Sequence, residues 1–180
     1  MKICLIISIC FAIISCKTDK KTEIYQSNLN LTENLSNFTT VMSEKDTIKI
    51  IAKLYMEWWM RVDTLTVTKK DNQIRLQTTI KEDTTFEMKY QWRTNRLETV
   101  TLKNTNNEFE NHFALRINRT KVNQDRGRIY EIIGPKDTLI FYTNGLGDKG
   151  GEVIEYYQFM RKYYPYEKDF VPIGEEIDNE

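Results

Sequence analysis

Thiols are confined to the first tenth of this chain. Its three cysteines are Cys4, Cys10 and Cys16, and none follows. The remainder has no disulfide and no cysteine nucleophile, so a domain built there must stabilise itself by its own core. Histidine occurs once, as His112. One imidazole is too few for a hydrolytic zinc centre, which needs several nitrogen ligands, and a Ser-His-Asp triad would have to use this single ring. No G-x-S-x-G elbow presents a serine for such a triad. An excess of one charge is also missing, with 26 Lys and Arg against 26 Asp and Glu. That balance argues against a general nucleic-acid binder, although local patches remain open. Finally, no apolar run approaches the roughly 20 residues of a spanning helix. The longest occupies residues 3–15.

That short run follows Met1-Lys2 and ends at the small residue Ser15. A cation, an apolar stretch and a small residue make the three-part layout of a secretory signal. There is no A-x-A cleavage pattern. Instead Ile13-Ile14-Ser15 leads directly into Cys16. These four residues resemble the lipobox of bacterial lipoproteins, departing from it only at Ile14, where a smaller residue is usual. The resemblance implies cleavage before Cys16, which becomes the new N-terminus and carries several acyl chains. Several acyl chains matter physically, because each buried CH₂ contributes only about 0.8 kcal/mol and one chain holds a membrane weakly. Lys17, Lys20 and Lys21 would lie beside the lipid, within reach of anionic headgroups. The mixed Lys-Asp tract after Cys16 is similar to surface-export signals of some Gram-negative lipoproteins. The implied address is the cell envelope, on the outer membrane of a Gram-negative bacterium. Four Asn-x-Ser/Thr sequons, at Asn30, Asn34, Asn37 and Asn118, keep a eukaryotic secreted chain as the alternative.

The expected organisation is a signal peptide over 1–15, a lipidated N-terminus and flexible tether over 16–40, one domain over 41–172, and an acidic tail over 173–180. Leu29, Leu31, Leu35 and Phe38 leave open that part of the tether docks on the domain. Removing the signal takes away Lys2, so 26 − 1 leaves 25 cations against 26 anions in the mature chain.

Within the domain the apolar period changes along the chain. Ile48, Ile51, Leu54, Tyr55, Trp58 and Val62 recur at helical spacing, after an N-cap serine at Ser43 and acids in the next turn. Every even position from Ile48 to Met60 is also apolar, which is strand alternation. The run exceeds the usual 4–8 residues of a strand, so a helix is expected over about 44–61. From Leu65 the period is two: Leu65 and Val67, Ile74 to Ile80, Phe86 to Trp92, Val100 and Leu102, Phe113 to Ile117, Ile129–Ile133 and Thr138–Thr143. Turns rather than crossover helices separate these stretches, which predicts an antiparallel meander of about six strands. Val153, Tyr156, Tyr157, Met160, Tyr163 and Tyr164 return to helical spacing before Pro165, predicting a helix over about 152–164. The expected class is therefore α+β, with two amphipathic helices covering one face of the sheet.

Few residues offer chemistry. Gly145, Gly147 and Gly150 match G-x-G-x-x-G between a strand and a helix, but too little chain follows for the parallel strand that dinucleotide binding requires. A flexible strand-to-helix loop accounts for them. Glu108, Glu110 and His112 would share one face of a strand, with Phe109, Phe113, Leu115 and Ile117 turned to the core. Such a line could serve acid–base or metal chemistry, or merely be the wet face. Trp59, Arg93 and Arg96 are the candidates for partner contact, aromatic and guanidinium groups being suited to interfaces.

The reading these features support is a membrane-anchored, non-catalytic module that binds a protein partner in the cell envelope, as an accessory or immunity-type protein. No cofactor, metal or nucleic acid enters it. A lipid- or glycan-binding module with a cupped sheet is the alternative, followed by a small hydrolase at Glu108, Glu110 and His112. Replacing Cys16 with Ala should move the protein from membranes into the soluble exported fraction and abolish labelling by radioactive fatty acid. Label that persists on the variant would refute the lipid anchor.

Overall fold

Side-chain alternation with a period of two builds most of the molecule. The computed structural model describes residues 25–55, 59–83, 91–103, 105–116, 127–143 and 145–171. Its strands are β1 (Thr47–Lys53), β2 (Met60–Lys70), β3 (Gln73–Asp83), β4 (Trp92–Arg96), β5 (Val100–Thr101), β6 (Arg128–Ile133) and β7 (Thr138–Tyr142). They form one antiparallel sheet in the order β4-β3-β2-β1-β6-β7, with β5 also paired to β3. Helices are α1 (Leu31–Asn34), α2 (Phe38–Val41), α3 (Glu108–Ala114) and α4 (Leu146–Arg161), and a 3-10 turn spans Lys168–Phe170. The α+β class and the antiparallel meander are as the sequence predicts. Signal peptide, Cys16, Trp58, the strand expected from Phe86 to Tyr90, Ile117 and the tail over 173–180 lie outside the described residues.

Two expectations are corrected. The helix expected over 44–61 is strand β1, bonded on one side to β2 and on the other to β6. Ile48, Ile50, Ala52 and Leu54 are all fully buried, so the period of two is the real one. The run exceeds the length of one strand because alternation in the sequence continues beyond Lys53 towards β2, which begins at Met60. Conversely, the strand expected around Phe113 is helix α3. Phe109 and Phe113 fit either pattern, because a spacing of four is both one helical turn and two strand repeats. Asn106 and Asn107, at φ 55° each, turn the chain into α3, and Glu108 and Glu110 in its first turn favour the helix dipole.

The β2–β3 hairpin is closed by Asp71 and Asn72 at φ 53° and 59°. Two left-handed residues match the twist of the flanking strands, and Asp and Asn tolerate this conformation without glycine. At the same end of the strands, in the β6–β7 turn, Asp137 precedes β7 and caps α1. Its carboxylate accepts the Leu31 and Thr32 N–H groups, each at 2.8 Å, and the Thr32 hydroxyl at 2.8 Å. Burial opposes its charge, but these donors outweigh it and hold the carboxyl below its ordinary range. Gly134 lets α1 approach: a Cβ there would sit 2.8 Å from Leu31 Cδ1. Leu29, Leu31, Leu35 and Phe38 are consequently buried at 0–5% exposure. The segment expected as tether belongs to the folded body from Tyr25 onward.

These helices pack on one face of the sheet. That face presents Ile48, Ile50, Leu65, Val67, Leu76, Ile80 and Ile132, covered by Phe38, Phe109, Phe113, Tyr156, Met160 and Phe170. The helix expected at 152–164 is α4, which starts earlier, at Leu146, and buries Val153, Tyr156, Tyr157 and Met160 as the spacing predicts. Its start includes Gly147, Gly150 and Gly151 inside the helix. Glycine disfavours a helix by roughly 1 kcal/mol per residue relative to alanine, so packing rather than propensity holds these turns. Lys149 helps here, 6% exposed with its ammonium 5.2 Å from the Tyr55 ring centre. Only Gly145, at φ 153°, uses the freedom expected of this glycine-rich stretch.

One polar cluster interrupts the core. Arg61 and Asp63 share the covered face of β2 at 2% and 0% exposure. Arg61 Nε and Nη2 donate to the two Asp63 oxygens at 2.7 and 2.9 Å. Arg61 Nη1 donates to the Tyr157 hydroxyl at 3.1 Å and to the Asp169 carbonyl at 2.5 Å. The Tyr156 hydroxyl donates to Asp63 Oδ2 at 3.0 Å. The guanidinium lies 5.0 Å from the Tyr157 ring and 5.2 Å from that of Phe170. Burial disfavours its charge, yet the bonds to Asp63 prevail and raise its pKa above the ordinary value. The cluster thus ties β2 to α4 and to the 3-10 turn. Arg61→Met leaves a buried carboxylate unpaired and should cost about 3–5 kcal/mol in urea unfolding. The double variant Arg61→Met/Asp63→Leu should recover most of that loss. A loss in the double variant equal to the sum of the separate Arg61→Met and Asp63→Leu losses would show that the pair is not coupled.

Candidate functional site

The predicted acid–base line is dispersed by the helical geometry of α3. Residues two apart on a helix point to different sides, whereas residues four apart share one. Glu108 and His112 therefore face α4 together, and Glu110 turns into the core. Glu110 is fully buried and accepts the Thr39 N–H at 3.1 Å and the Thr39 hydroxyl, joining α3 to α2. This corrects the expectation of three groups on one strand face. Leu115 is corrected as well: the alternation placed it in the core, and it is 66% exposed.

Between α3 and α4 lies a groove of about 380 Å³ lined by Glu108, His112, Leu115, Glu155, Gln158 and Lys162, among others. Its floor is the His112 ring, stacked on Phe159 at 3.8 Å and 11°. Arg116, 3% exposed, is held beneath one wall. It pairs with Glu152 and, at 2.7 Å, with Glu155, and donates to the His112 carbonyl. Lys162 and Glu108 approach to 3.9 Å at the rim. Among the described residues, His112 Nε2 is buried without a hydrogen-bond partner. Burial first, then the charges of Arg116 and Lys162, push the His112 pKa down to about 2. The ring is therefore neutral at ordinary pH and is poorly matched to general acid–base work near neutrality. It serves as an aromatic floor with one polar edge.

The three contact candidates do not converge. Trp59 is half-buried and donates its Nε1–H to Glu82 at 2.7 Å. Arg93 bonds Glu82 at 2.8 Å and Asp169 at 2.6 Å, and Asn95 donates to Asp169 at 3.0 Å. Trp59 and Arg93 thereby extend the Arg61 cluster and hold the turn after α4. Arg96 is exposed and, two places from Thr94 in β4, lies on the opposite face of the sheet. Among the described residues, no group of three or more His, Cys, Asp or Glu side chains is placed to hold a metal ion. No helix there is long and apolar enough to cross a membrane.

No family model, curated protein or solved structure matches the chain. The groove is thus characterised by its own geometry: an aromatic floor, an exposed aliphatic rim residue, and charges of both signs. Sequence reasoning missed Leu115, Gln158 and Lys162 as groove residues. The signal was present for Leu115, since a helix that buries Phe109 and Phe113 turns position 115 off that face.

His112 supplies a pH test. Its folded pKa is depressed from the ordinary 6.5. Below that value the unfolded chain binds a proton that the folded chain refuses. Stability is fully present above pH 6.5 and falls with pH, by up to about 1.4 kcal/mol per unit. His112 is the sole histidine, so His112→Phe should remove the slope of unfolding free energy between pH 6 and 5. A slope unchanged in that variant would show that the ring is accessible to protons.

Proposed function

We propose that this chain is a lipid-anchored, non-catalytic module of the cell envelope, and that its α3–α4 groove holds a segment of a protein partner. One observation carries the reading. Leu115, an aliphatic side chain, stands 66% exposed at a groove floored by stacked aromatic rings and edged by Glu108, Glu155 and Lys162. A small apolar centre with a polar, charged rim is the anatomy of a protein contact. Ile154, on the adjoining helix, is a second exposed aliphatic side chain, at 50%. Several buried charged side chains are committed to structure: Glu110 to Thr39, Arg116 to Glu152 and Glu155, and Asp63 to Arg61. An open sheet with helices on one face also supports this reading over a cupped ligand binder, which calls for a closed or curved sheet.

Leu115→Asp should lower capture of the partner from native membranes at least tenfold, the scale of a central contact residue. The melting temperature should be unchanged, because the side chain is exposed. Capture that survives both Leu115→Asp and a groove-filling Gln158→Trp would remove the groove from the interface.

A further inference from the structure

The face of the sheet opposite the helices has a charge that the neutral composition conceals. Its strand residues include Lys49 and Lys53 on β1, Arg75 and Lys81 on β3, Arg96 on β4 and Arg128 on β6. The pairing places them on one surface: Lys49 opposite Thr66, Lys53 opposite Val62, Lys81 opposite both Val62 and Thr94, and Arg75 opposite Thr68. Three carboxylates oppose these cations, the first being Asp71 of the β2–β3 turn, 3.8 Å from Arg75. Glu131 lies 3.6 Å from Lys53 and 3.7 Å from Arg128, and Asp83, 6% exposed, accepts the Gln91 N–H. Lys49, Lys81 and Arg96 form no ion pair among the described residues. Threonine hydroxyls at Thr64, Thr66 and Thr79 fill the spaces between them.

We propose that this face lies against the anionic headgroups of a lipid bilayer. The inference rests on the anchored reading for its distances. Cys16 and Tyr25 are nine residues apart. Fully extended, that length reaches at most about 32 Å, less than the roughly 36 Å length of an eleven-residue strand such as β2. Acyl chains on Cys16 would therefore keep the sheet within one strand length of the bilayer. Tyr25 enters the fold beside the start of β1, bonding Asp46 at 2.9 Å, with Lys45 5.1 Å from its ring. Lys49 follows on the same strand.

The distribution of charge favours a membrane over an acidic protein. The cations come from four strands within a span of five, about 19 Å at the usual strand spacing, and match a planar array of phosphates better than a single acidic peptide. Trp92, 38% exposed at the edge strand, has the Lys81 ammonium 5.1 Å from its ring. An indole beside a lysine suits the headgroup level, where one end is apolar and the other wet. A lipid anchor and a basic face supply two signals for stable attachment. The α3–α4 groove, on the opposite side of the sheet, is then directed away from the bilayer.

The test uses the mature chain carrying Cys16→Ser, so that no acyl chain contributes. It should bind vesicles containing one-third phosphatidylglycerol in phosphatidylcholine, weaken as salt is raised, and ignore vesicles of phosphatidylcholine alone. At about fivefold per cation, the triple variant Lys49→Ala/Lys53→Ala/Lys81→Ala should bind roughly 100-fold more weakly. Lys168→Ala, on the helix side, should leave binding unchanged. Equal binding to both vesicles, binding unaffected by the triple variant, or complete loss on replacing only Lys17, Lys20 and Lys21 would overturn the proposal. Retention of polyglutamate without vesicle binding would assign the face to an acidic protein and overturn it too. The anchor is judged separately, by the intact mass of the wild-type N-terminus. An unacylated mass would sink the anchor while leaving the vesicle result to stand or fall by itself.

Discussion

A guanidinium and a carboxylate sharing the dry side of one strand set the terms for the covering layer. Arg61 and Asp63 lie at 2% and 0% exposure on β2, and neither tolerates burial unless nearly every polar atom is met. The partners come from distant parts of the chain: two tyrosine hydroxyls of α4 and the carbonyl of Asp169. Satisfying the pair therefore fixes the rotation of α4 and the return of the chain after Pro165. Hydrophobic burial supplies the larger share of stability here, but it is indifferent to register. Hydrogen bonds with fixed geometry are not, and they select one seating of the helix.

With that seating settled, the two sides of the molecule differ in kind. On the covered side, charge is consumed. Glu110 meets Thr39, Arg116 meets Glu152 and Glu155, and Glu82 meets Trp59 and Arg93. What remains on that side is a groove with an aromatic floor and an exposed leucine. On the bare side of the sheet the balance shifts to lysine and arginine. A chain with equal numbers of cations and anions thus becomes a body with polarity, because the anions are disproportionately used as structural partners beneath the helices. A groove directed to a protein and a basic face directed to lipid follow as complementary readings of this asymmetry.

Much of the sheet was legible because hairpins are local. Leu65 to Val67 and Ile74 to Ile80 alternate without ambiguity, and Asp71-Asn72 supplies the left-handed turn between them. The buried side of α4 was legible for a related reason: Val153, Tyr156, Tyr157 and Met160 leave only one face to bury. Illegibility arose where two periods coincide. Ile48 and Leu54 fit helix and strand equally, and so do Phe109 and Phe113. Misreading α3 as a strand produced both the false alignment of Glu110 with His112 and the false burial of Leu115. Of the three proposed chemistry residues, Glu108 and His112 do border the groove, while Glu110 is a structural acceptor.

By itself the sequence determined the α+β class, the antiparallel connections, the face that α4 buries and the absence of thiols after Cys16. Each depends on near neighbours or on simple composition. Only the tertiary structure decided that β1 is an interior strand, because its identity depends on β2 and β6 offering hydrogen bonds on both sides. It also decided that Arg61 is buried and Lys49 is not, since a charge goes inside only where remote residues supply its partners. The groove and the basic face belong to this second group: both are made by segments that meet through packing, and no local pattern records such a meeting.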